Sequence, residues 1–537
     1  MADAALAERE PFQHPPDDGG PPASGSKGDD DLGGHAYSGV RWSIVDQAGQ
    51  QAIRMVVTIL LTRWTAPGDV GLFALAYTFT QIAGWVSDLG TGTALVRKPQ
   101  LESKHVGVGL SLGIITGGCF GLLLVATSGG IASFFDEPRL QPVLVAMALM
   151  FPVRGVAAVP RALLMREMRF RGLAGSTLGG LTVSAVVSLT VALRGGGVIA
   201  LVLWVLLEAV VTGLLQFVFA ARHPQFRLMP SLDPKTTSEL ARFGLAVTGG
   251  NLLFYLQANI DNLIVGKRLG AEALGYYGLA YRLMLYPIQR IADVVSNVAL
   301  PVFARVQVDR DRLLEGYVRG TRAVCLVCFP ISVGLTVTAP ILVPLLLGPS
   351  WAPAVTTVQI LSISGCSIAL CRLNGPLYQA VGRPMWDLWF SLGGLVAFAV
   401  GFFLGVAWGI EGVAWSYSIV RFGVAIAALT LAAVQLRTTP WRLARSVAGI
   451  AASSVLLAVL AIVASTLTTG LPELLRLVLV VGAGGIGFLV GILSFERAFV
   501  LDTLGGLLGR ELRREPDTIY APEDFLICPD AHERQSS

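Results

Sequence analysis

The sequence predicts an all-α, polytopic membrane protein with about 14 transmembrane helices. We expect two six-helix lobes related by a pseudo-twofold axis, followed by two C-terminal helices. Of the 537 residues, 53% are hydrophobic and only 14% are charged, whereas an average soluble chain has roughly 25% charged residues. Apolar segments follow one another along most of the chain, and a seven-residue motif recurs 204 positions after its first occurrence.

A membrane helix needs roughly 20 mostly apolar residues. Division of the chain at charged and Gly/Pro turns gives fourteen such segments. They span approximately residues 40–62, 69–96, 106–128, 140–163, 172–193, 197–221, 243–266, 273–300, 322–347, 354–380, 385–408, 410–436, 443–468 and 472–495. The first, seventh and eighth segments are amphipathic, which is typical of helices that line a cavity.

The loops between these segments differ in positive charge. The even-numbered loops contain 20 Lys and Arg residues, whereas the odd-numbered loops contain six. Because short cytoplasmic loops are enriched in Lys and Arg, the difference places the even loops and both termini in the cytoplasm. A single missed helix would disrupt the alternation, so its regularity also supports the count of fourteen.

The chain contains an internal duplication. Gly71-Leu-Phe-Ala-Leu-Ala-Tyr77 is repeated as Gly275-Tyr-Tyr-Gly-Leu-Ala-Tyr281, and the segment after Gly197 resembles the segment after Gly409. These offsets correspond to six helices, and an even number of helices per repeat gives both halves the same orientation in the membrane. We expect the first glycine of each motif to allow a close turn of the chain.

The chain is therefore divided into six parts. They are an acidic, disordered cytoplasmic tail (1–38), an N-lobe of helices 1–6 (39–221), a cytoplasmic linker (222–242), a C-lobe of helices 7–12 (243–437), helices 13–14 (438–500) and a cytoplasmic C-terminal tail (501–537). The two tails together carry a net charge of about −10, which leaves about +14 on the membrane body. A cationic body indicates anionic lipid around it or an anionic substrate within it.

Several motifs resemble those of the polysaccharide transporter (Wzx-type flippase) branch of the multidrug/oligosaccharidyl-lipid/polysaccharide exporter superfamily. They are the paired Gly-x-[Phe/Tyr]-x-Leu-Ala-Tyr motifs, Ala258-Asn-Ile-Asp-Asn-Leu-Ile-Val-Gly266, Pro301-Val-Phe-Ala-Arg305 and Leu373-Asn-Gly-Pro-Leu-Tyr-Gln-Ala-Val-Gly-Arg-Pro384. The similarity covers roughly residues 38–500, and the colanic- and teichuronic-acid exporter-like subgroup is nearest. The acidic tails depart from the common pattern.

The resemblance implies a flippase that moves an undecaprenyl-pyrophosphate-linked oligosaccharide across the cytoplasmic membrane by alternating access. Its expected partners are the lipid-linked anionic oligosaccharide and the bilayer, and a polysaccharide polymerase machinery is a candidate partner. A lipid II flippase or a drug/cation antiporter of the same superfamily remains an alternative. A membrane glycan polymerase is disfavoured, because every outward loop is short.

Ionisable residues within membrane helices are costly and are functional hypotheses by default. Arginine suits a pyrophosphate because its planar fork can bind two oxygens and stays charged. The substrate-binding candidates are Arg54, Arg282, Arg290, Arg154 and Arg372. The alternative is that each arginine is neutralised by a neighbouring acid or extends to a headgroup. We expect this interfacial role for Arg41, Arg421 and Asp387, which we place near helix ends.

Three acids are candidates for ion coupling. Asp261 either senses a proton or cation or forms an ion pair with Lys267 or Arg282, and the ion pair is favoured. Asp88 either binds a cation or caps the backbone near Gly90. Asp293 lies three residues after Arg290, and the two are expected to pair.

No catalytic, nucleotide or metal motif accompanies these residues. Cys325-x-x-Cys328 has a redox or zinc spacing, but no second pair or His cluster accompanies it. We therefore expect buried, unreactive cysteines, no metal, no cofactor, no nucleic-acid partner and no enzymatic activity.

Overall fold

The computed structural model describes residues 49–87, 92, 95–96, 101–222, 229–382 and 384–497. Within these residues the secondary structure is helical, and no strand occurs. The chain is thus all-α, as predicted.

Sixteen helices are numbered here in chain order. They are α1 (49–64), α2 (Pro67–Ser87), α3 (Ser103–Phe134), α4 (Leu140–Ala148), α5 (Met150–Arg166), α6 (Phe170–Leu193), α7 (Val198–Ala221), α8 (Pro234–Val306), α9 (Arg310–Leu347), α10 (Ala354–Cys371), α11 (Asn374–Ala380), α12 (Pro384–Gly405), α13 (Gly409–Gln435), α14 (Pro440–Arg445), α15 (Ala448–Leu467) and α16 (Glu473–Phe495). Short 3₁₀ turns lie at Pro349–Trp351 and Val406–Trp408.

Glycines with positive φ mark several of the turns between these helices. Gly270 (φ 85°, ψ 178°) divides α8 into two arms, residues 234–269 and 271–306. Gly348 (φ 97°) ends α9, and Gly409 (φ 73°) lies at the start of α13. Side chains with a Cβ rarely adopt these angles, so these turns depend on glycine.

The predicted segments agree with the helices to within a few residues at most ends. The largest differences are in α9, which begins at Arg310 rather than at 322, and in α8, which begins at Pro234 rather than at 243. Within the described part of the chain, nine helical stretches are long and apolar enough to cross a membrane. Helix α1, helix α2 and the two arms of α8 are not among them, so the number fourteen stays a prediction.

Large apolar side chains face outward along many of these helices. Leu122, Ile426 and Leu467 are 72%, 68% and 79% exposed, respectively. Such a surface would be unfavourable in water but is suited to hydrocarbon. The chain is therefore a multi-pass membrane protein. Cys325 and Cys328 are fully buried and unpaired, which confirms the prediction that they act as small core residues.

The last two long helices form a hairpin that packs mainly against α9. Small residues allow α15 and α16 to approach closely, since a Cβ on Gly491 would lie 2.7 Å from Cα of Ser453. An ion pair between Arg322 of α9 and Glu496, which follows α16, joins the hairpin to the rest of the protein. Both side chains are mostly buried.

Candidate functional site

The two copies of the duplicated motif lie in contact with each other. Helix α2 packs along α8 so closely that a Cβ on Gly71 would lie 1.6 Å from the carbonyl oxygen of Ala271. A Cβ on Gly275 would lie 2.1 Å from the carbonyl oxygen of Pro67. Pro67 and Ala271 are equivalent positions of the two repeats, as are Gly71 and Gly275, because each pair is separated by 204 positions. The glycine of each repeat thus contacts the same position of the other repeat, so the two contacts are reciprocal. The glycines therefore permit close helix packing, and the expectation that they serve a chain turn is wrong.

Polar contacts between the two repeats surround these glycines. Lys267 forms an ion pair with Asp136 (Nζ to Oδ2, 2.7 Å). The Arg63 guanidinium donates to the carbonyl oxygens of Leu345 (2.9 Å) and Leu346 (3.2 Å). The indole of Trp351 donates to the carbonyl oxygen of Thr62 at 3.0 Å. We call this set, together with Pro67, Gly71, Ala271 and Gly275, the inter-repeat contact.

Arg54 of α1 is bound by Glu208 of α7. Its two terminal nitrogens contact the two carboxylate oxygens, one of them at 3.1 Å. Glu208 is the more buried partner, with 18% of its side chain exposed against 40% for Arg54. This fork-to-fork geometry satisfies both groups. Arg54, a predicted substrate ligand, is thus neutralised within the N-terminal repeat.

Two other predicted arginines have no acidic partner among the described residues. Arg154 of α5 donates to the neutral amide oxygen of Gln81 in α2 at 2.8 Å. Arg282, in the second arm of α8, is half-buried and makes no ion pair within the described part of the chain. It lies twelve residues beyond Gly270, which is about 18 Å along a helix and near the middle of a membrane core of about 30 Å.

Asp293 contacts the guanidinium of Arg372, which caps the C-terminal end of α10. The expected partner was Arg290, whose side chain lies outside the described residues. Sequence proximity suggested the pairing with Arg290, whereas the contact with Arg372 depends on the packing of α8 against α10. Asp88, Arg41 and the side chain of Asp387 also lie outside the described residues.

Asp261 is buried in the first arm of α8, with 5% of its surface exposed. Its carboxylate accepts hydrogen bonds from the hydroxyl of Tyr277 (3.0 Å) and from the backbone N–H of Asn262 (2.9 Å). Neither favoured cation is its partner, because Lys267 pairs with Asp136 and Arg282 makes no ion pair within the described residues. The predicted ion pair of Asp261 is therefore wrong.

An aromatic cluster extends from this carboxylate. The rings of Tyr277 and Tyr281 stack with centroids 6.3 Å apart, and Tyr281 meets the edge of Tyr417 at 5.5 Å. Arg421 follows Tyr417 by one helical turn. It lies twelve residues after Gly409, near the middle of α13, and is half-buried. The expected position at a helix end is thus wrong for Arg421.

No group of three or more His, Cys, Asp or Glu residues in the described ranges has the arrangement of a metal site. The site residues are instead arginines, isolated acids and tyrosines on helices of the two repeats. Sequence reasoning missed the tyrosine cluster, although Tyr281 ends the second copy of the duplicated motif.

Residues 60–356 match the family described as "Polysaccharide biosynthesis protein". The chain is 26% identical over 386 residues to the teichuronic acid biosynthesis protein TuaB of Bacillus subtilis (strain 168), which covers 71% of this chain and 79% of that protein. It is 24% identical over 388 residues to the lipopolysaccharide biosynthesis protein WzxC of Escherichia coli (strain K12), which covers 68% and 77%, respectively.

The fold is also similar to that of a solved structure, the lipid II flippase MurJ in an inward closed conformation. The two share a TM-score of 0.68 at 12% sequence identity, over 86% of this chain and all of the other. At this identity the likeness concerns the arrangement of helices alone.

Proposed function

The chain belongs to the polysaccharide biosynthesis protein family, and from this premise we propose that it is a flippase for an undecaprenyl-pyrophosphate-linked oligosaccharide. The observation that carries the proposal is the set of arginines inside the membrane helices without an acidic partner among the described residues, Arg154, Arg282 and Arg421. An unneutralised cation at this depth is costly. An anionic substrate would supply the missing charge.

The proposed transport cycle is alternating access between the two repeats. The inter-repeat contact joins them at one end, around Gly71 and Gly275. We propose that this end faces the outside of the cytoplasmic membrane, because the odd-numbered loops are poor in Lys and Arg. Separation of the contact would then release the glycan outward.

This orientation can be tested by cysteine labelling of intact cells. Ser350 is exposed beside the inter-repeat contact, and Thr439 is exposed on the loop before α14. Ser350→Cys should react with an impermeant maleimide added outside, whereas Thr439→Cys should react only after the membrane is permeabilised. The reverse pattern would refute the assigned orientation.

We propose Asp261 as the acid through which a proton or cation drives the cycle. The supporting observation is a difference between the repeats at a fixed offset of 204. Asp261 and Tyr277 of the second repeat correspond to Val57 and Phe73 of the first, and both of these are buried apolar residues. A hydrogen-bonded carboxyl–phenol pair thus occupies the position of an apolar pair.

The transport assay uses proteoliposomes that contain an undecaprenyl-pyrophosphate-linked oligosaccharide, with lipid II and a cationic drug as parallel substrates. We expect transport of the lipid-linked oligosaccharide alone. Arg154→Ala and Arg282→Ala should each slow it by about tenfold, the lower range for a charged hydrogen bond. Arg268→Ala is the matched control, because Arg268 packs on the ring of Phe403 at the α8 turn.

Two outcomes of this assay would contradict the proposal. Wild-type rates in both arginine variants would refute the role of these cations, and preferential transport of the drug would refute the substrate class. For the coupling role, Asp261→Asn should abolish the response of transport to a proton or sodium gradient. Wild-type transport that is indifferent to a protonophore and to sodium removal would show that no such coupling exists.

A further inference from the structure

Helix α14 is a short amphipathic helix between two long apolar ones. Leu443 is its buried residue, and it packs in an apolar cluster with Leu436 of α13 and Leu313 of α9. Trp441 and Arg445, which are four positions apart and so share one helix face, are both exposed. One side of α14 is thus fixed to the protein, whereas the described residues leave the side with Trp441 and Arg445 uncovered.

The turn that leads into α14 is also held in place. The Arg310 guanidinium, at the start of α9, donates to the carbonyl oxygen of Gln435 at 3.4 Å. Arg437 has a φ of 51°, which side chains with a Cβ rarely adopt, and its backbone N–H donates to the carbonyl oxygen of Val434 at 3.3 Å. Its side chain is exposed. A charged side chain therefore occupies a turn position at which the backbone conformation favours glycine.

Positive charge surrounds the exposed Trp441. No ion pair neutralises its basic neighbours within the described part of the chain, and the sequence has no acidic residue between Glu411 and Glu473. We call Trp441 and these neighbours the α14 patch, which consists of Arg437, Trp441, Arg442 and Arg445. The patch therefore presents one aromatic ring together with three guanidinium groups.

Exposed tryptophans mark both ends of α13. Trp408 precedes the helix and is 75% exposed, and Trp441 follows it and is 73% exposed. Helix α13 has 27 residues and belongs to a stretch that is apolar enough to cross a membrane. Its length is about 40 Å, close to the thickness of a bilayer with its headgroups, about 40–45 Å. Because tryptophan is enriched at membrane–water interfaces, the two rings place α14 at the level of the headgroups.

The patch lies at the end of the protein opposite the inter-repeat contact. Arg310, which binds the turn before α14, begins α9, whereas Arg63 of the inter-repeat contact binds the last turn of α9. The 38 residues of α9 span about 55 Å along the helix. In the proposed orientation the patch therefore adjoins the cytoplasmic leaflet, where anionic lipids attract basic segments.

We propose that the α14 patch is a binding surface for anionic phospholipid headgroups. The three guanidinium groups donate to headgroup phosphates, and the Trp441 ring lies at the boundary between headgroups and acyl chains, where its apolar body and its N–H are both accommodated. The occupant is lipid rather than an acidic segment of protein, because the charges are combined with an exposed indole at the bilayer surface. The bound lipid is a structural ligand and not the transported substrate.

The test measures quenching of Trp441 fluorescence by brominated lipid in nanodiscs that hold the full-length protein. Trp441 is one of ten tryptophans, so its emission is the difference between the spectra of the wild type and of Trp441→Phe. Two nanodisc preparations contain the same mixture of phosphatidylglycerol and phosphatidylcholine, with bromine on the acyl chains of one lipid or of the other. Per mole of brominated lipid, phosphatidylglycerol should quench Trp441 at least about fivefold more strongly, since one arginine near an anionic surface contributes about this factor.

Variants of the arginines separate a charged binding surface from simple immersion in lipid. Replacement of all three patch arginines by glutamine should bring the quenching ratio close to one, whereas replacement of all three by lysine should keep most of it, because the charge is retained. Arg312→Gln is the matched control at the same end of the protein and should keep the wild-type ratio, since Arg312 is paired with Asp309 at 3.1 Å. Trp408, which is near Glu411, should be quenched equally by the two lipids.

Three outcomes would overturn the proposal. Equal quenching of Trp441 by the two lipids in the wild type, or an unchanged ratio in the triple glutamine variant, would show that the arginines select no headgroup. A ratio for Trp408 as high as that for Trp441 would show general enrichment of the anionic lipid around the protein and no surface of its own at α14. Absence of quenching by either lipid would place Trp441 away from the bilayer, against the acidic tail (501–537) or another protein.

Discussion

Replacement of Gly71 by alanine should force the inter-repeat contact apart. The new Cβ would lie 1.6 Å from the carbonyl oxygen of Ala271, whereas the shortest tolerated C···O contacts are about 3.3 Å, so the helices must separate locally by roughly 1.5–2 Å. The obstacle is backbone and cannot change rotamer. We therefore place the cost near the upper end of overpacking, about 3 kcal/mol, which is about a hundredfold change in the equilibrium between joined and separated repeats.

The assay follows a buried position inside the contact. Thr62, whose carbonyl oxygen accepts from Trp351, is 3% exposed. In a background with the six native cysteines replaced by alanine, Thr62→Cys should react slowly with an impermeant maleimide. Adding Gly71→Ala should raise the labelling rate by one to two orders of magnitude, up to the hundredfold limit. Gly275→Ala should have an effect of the same sign and similar size, because the contact is reciprocal.

Gly278→Ala is the matched control for this experiment. Gly278 lies one turn after Gly275 on the same arm of α8, yet a Cβ there would meet no atom within 4 Å. Gly278→Ala therefore shares with Gly71→Ala and Gly275→Ala any loss of helix flexibility, but it lacks their steric conflict. If Thr62→Cys is labelled at the same rate in the Gly71→Ala and Gly278→Ala variants, the proposal that Gly71 and Gly275 permit the inter-repeat contact is refuted.

Three further predictions concern other contacts. Arg322→Ala and Glu496→Ala should each lower the free energy of unfolding by about 3–5 kcal/mol, whereas the double variant should recover much of the loss because both charges of the pair are removed together; equal losses in all three would refute a specific pair. Tyr277→Phe should lower thermal stability by about 1–3 kcal/mol, because it leaves the buried Asp261 carboxylate short of a donor; unchanged stability would refute the hydrogen bond. Lys267→Ala should change stability by less than about 1 kcal/mol, since its ion pair is largely exposed; a larger loss, measured with Asp136→Ala for comparison, would show that this pair and not the glycines dominates the inter-repeat contact.

Much of the fold could be predicted because the length and composition of each local segment determine whether it forms a membrane helix. Apolar runs of fixed length, interrupted by Gly and charged turns, specify α6, α7, α12, α13, α15 and α16 to within a few residues at most ends. The bounds of the amphipathic α8 are harder to predict, since its polar face weakens the apolar signal and makes the start of the helix less distinct. The family predicted from the motifs is confirmed by the match over residues 60–356.

The partners of the charged residues could not be predicted in the same way. Arg54 meets Glu208 across 154 positions, and Asp293 meets Arg372 across two turns and two helices. Such pairs depend on which helices are neighbours and how each is rotated, and a single sequence records neither. The glycines of the repeated motif were misassigned for the same reason, because a close approach between distant helices leaves no trace in the local pattern.

The ion pair between Arg322 and Glu496 has a consequence for attempts to shorten the protein. Deletion of α15 and α16 would remove the carboxylate of this pair together with two helices that pack on α9. A truncated chain would therefore lose an ion pair as well as apolar packing, and α9 would present both a guanidinium and an apolar face to its surroundings. Truncation at residue 447 combined with Arg322→Met would make that face uniformly apolar, which suits contact with lipid. The design of a shortened chain thus includes a residue of α9 as well as the removal of two helices.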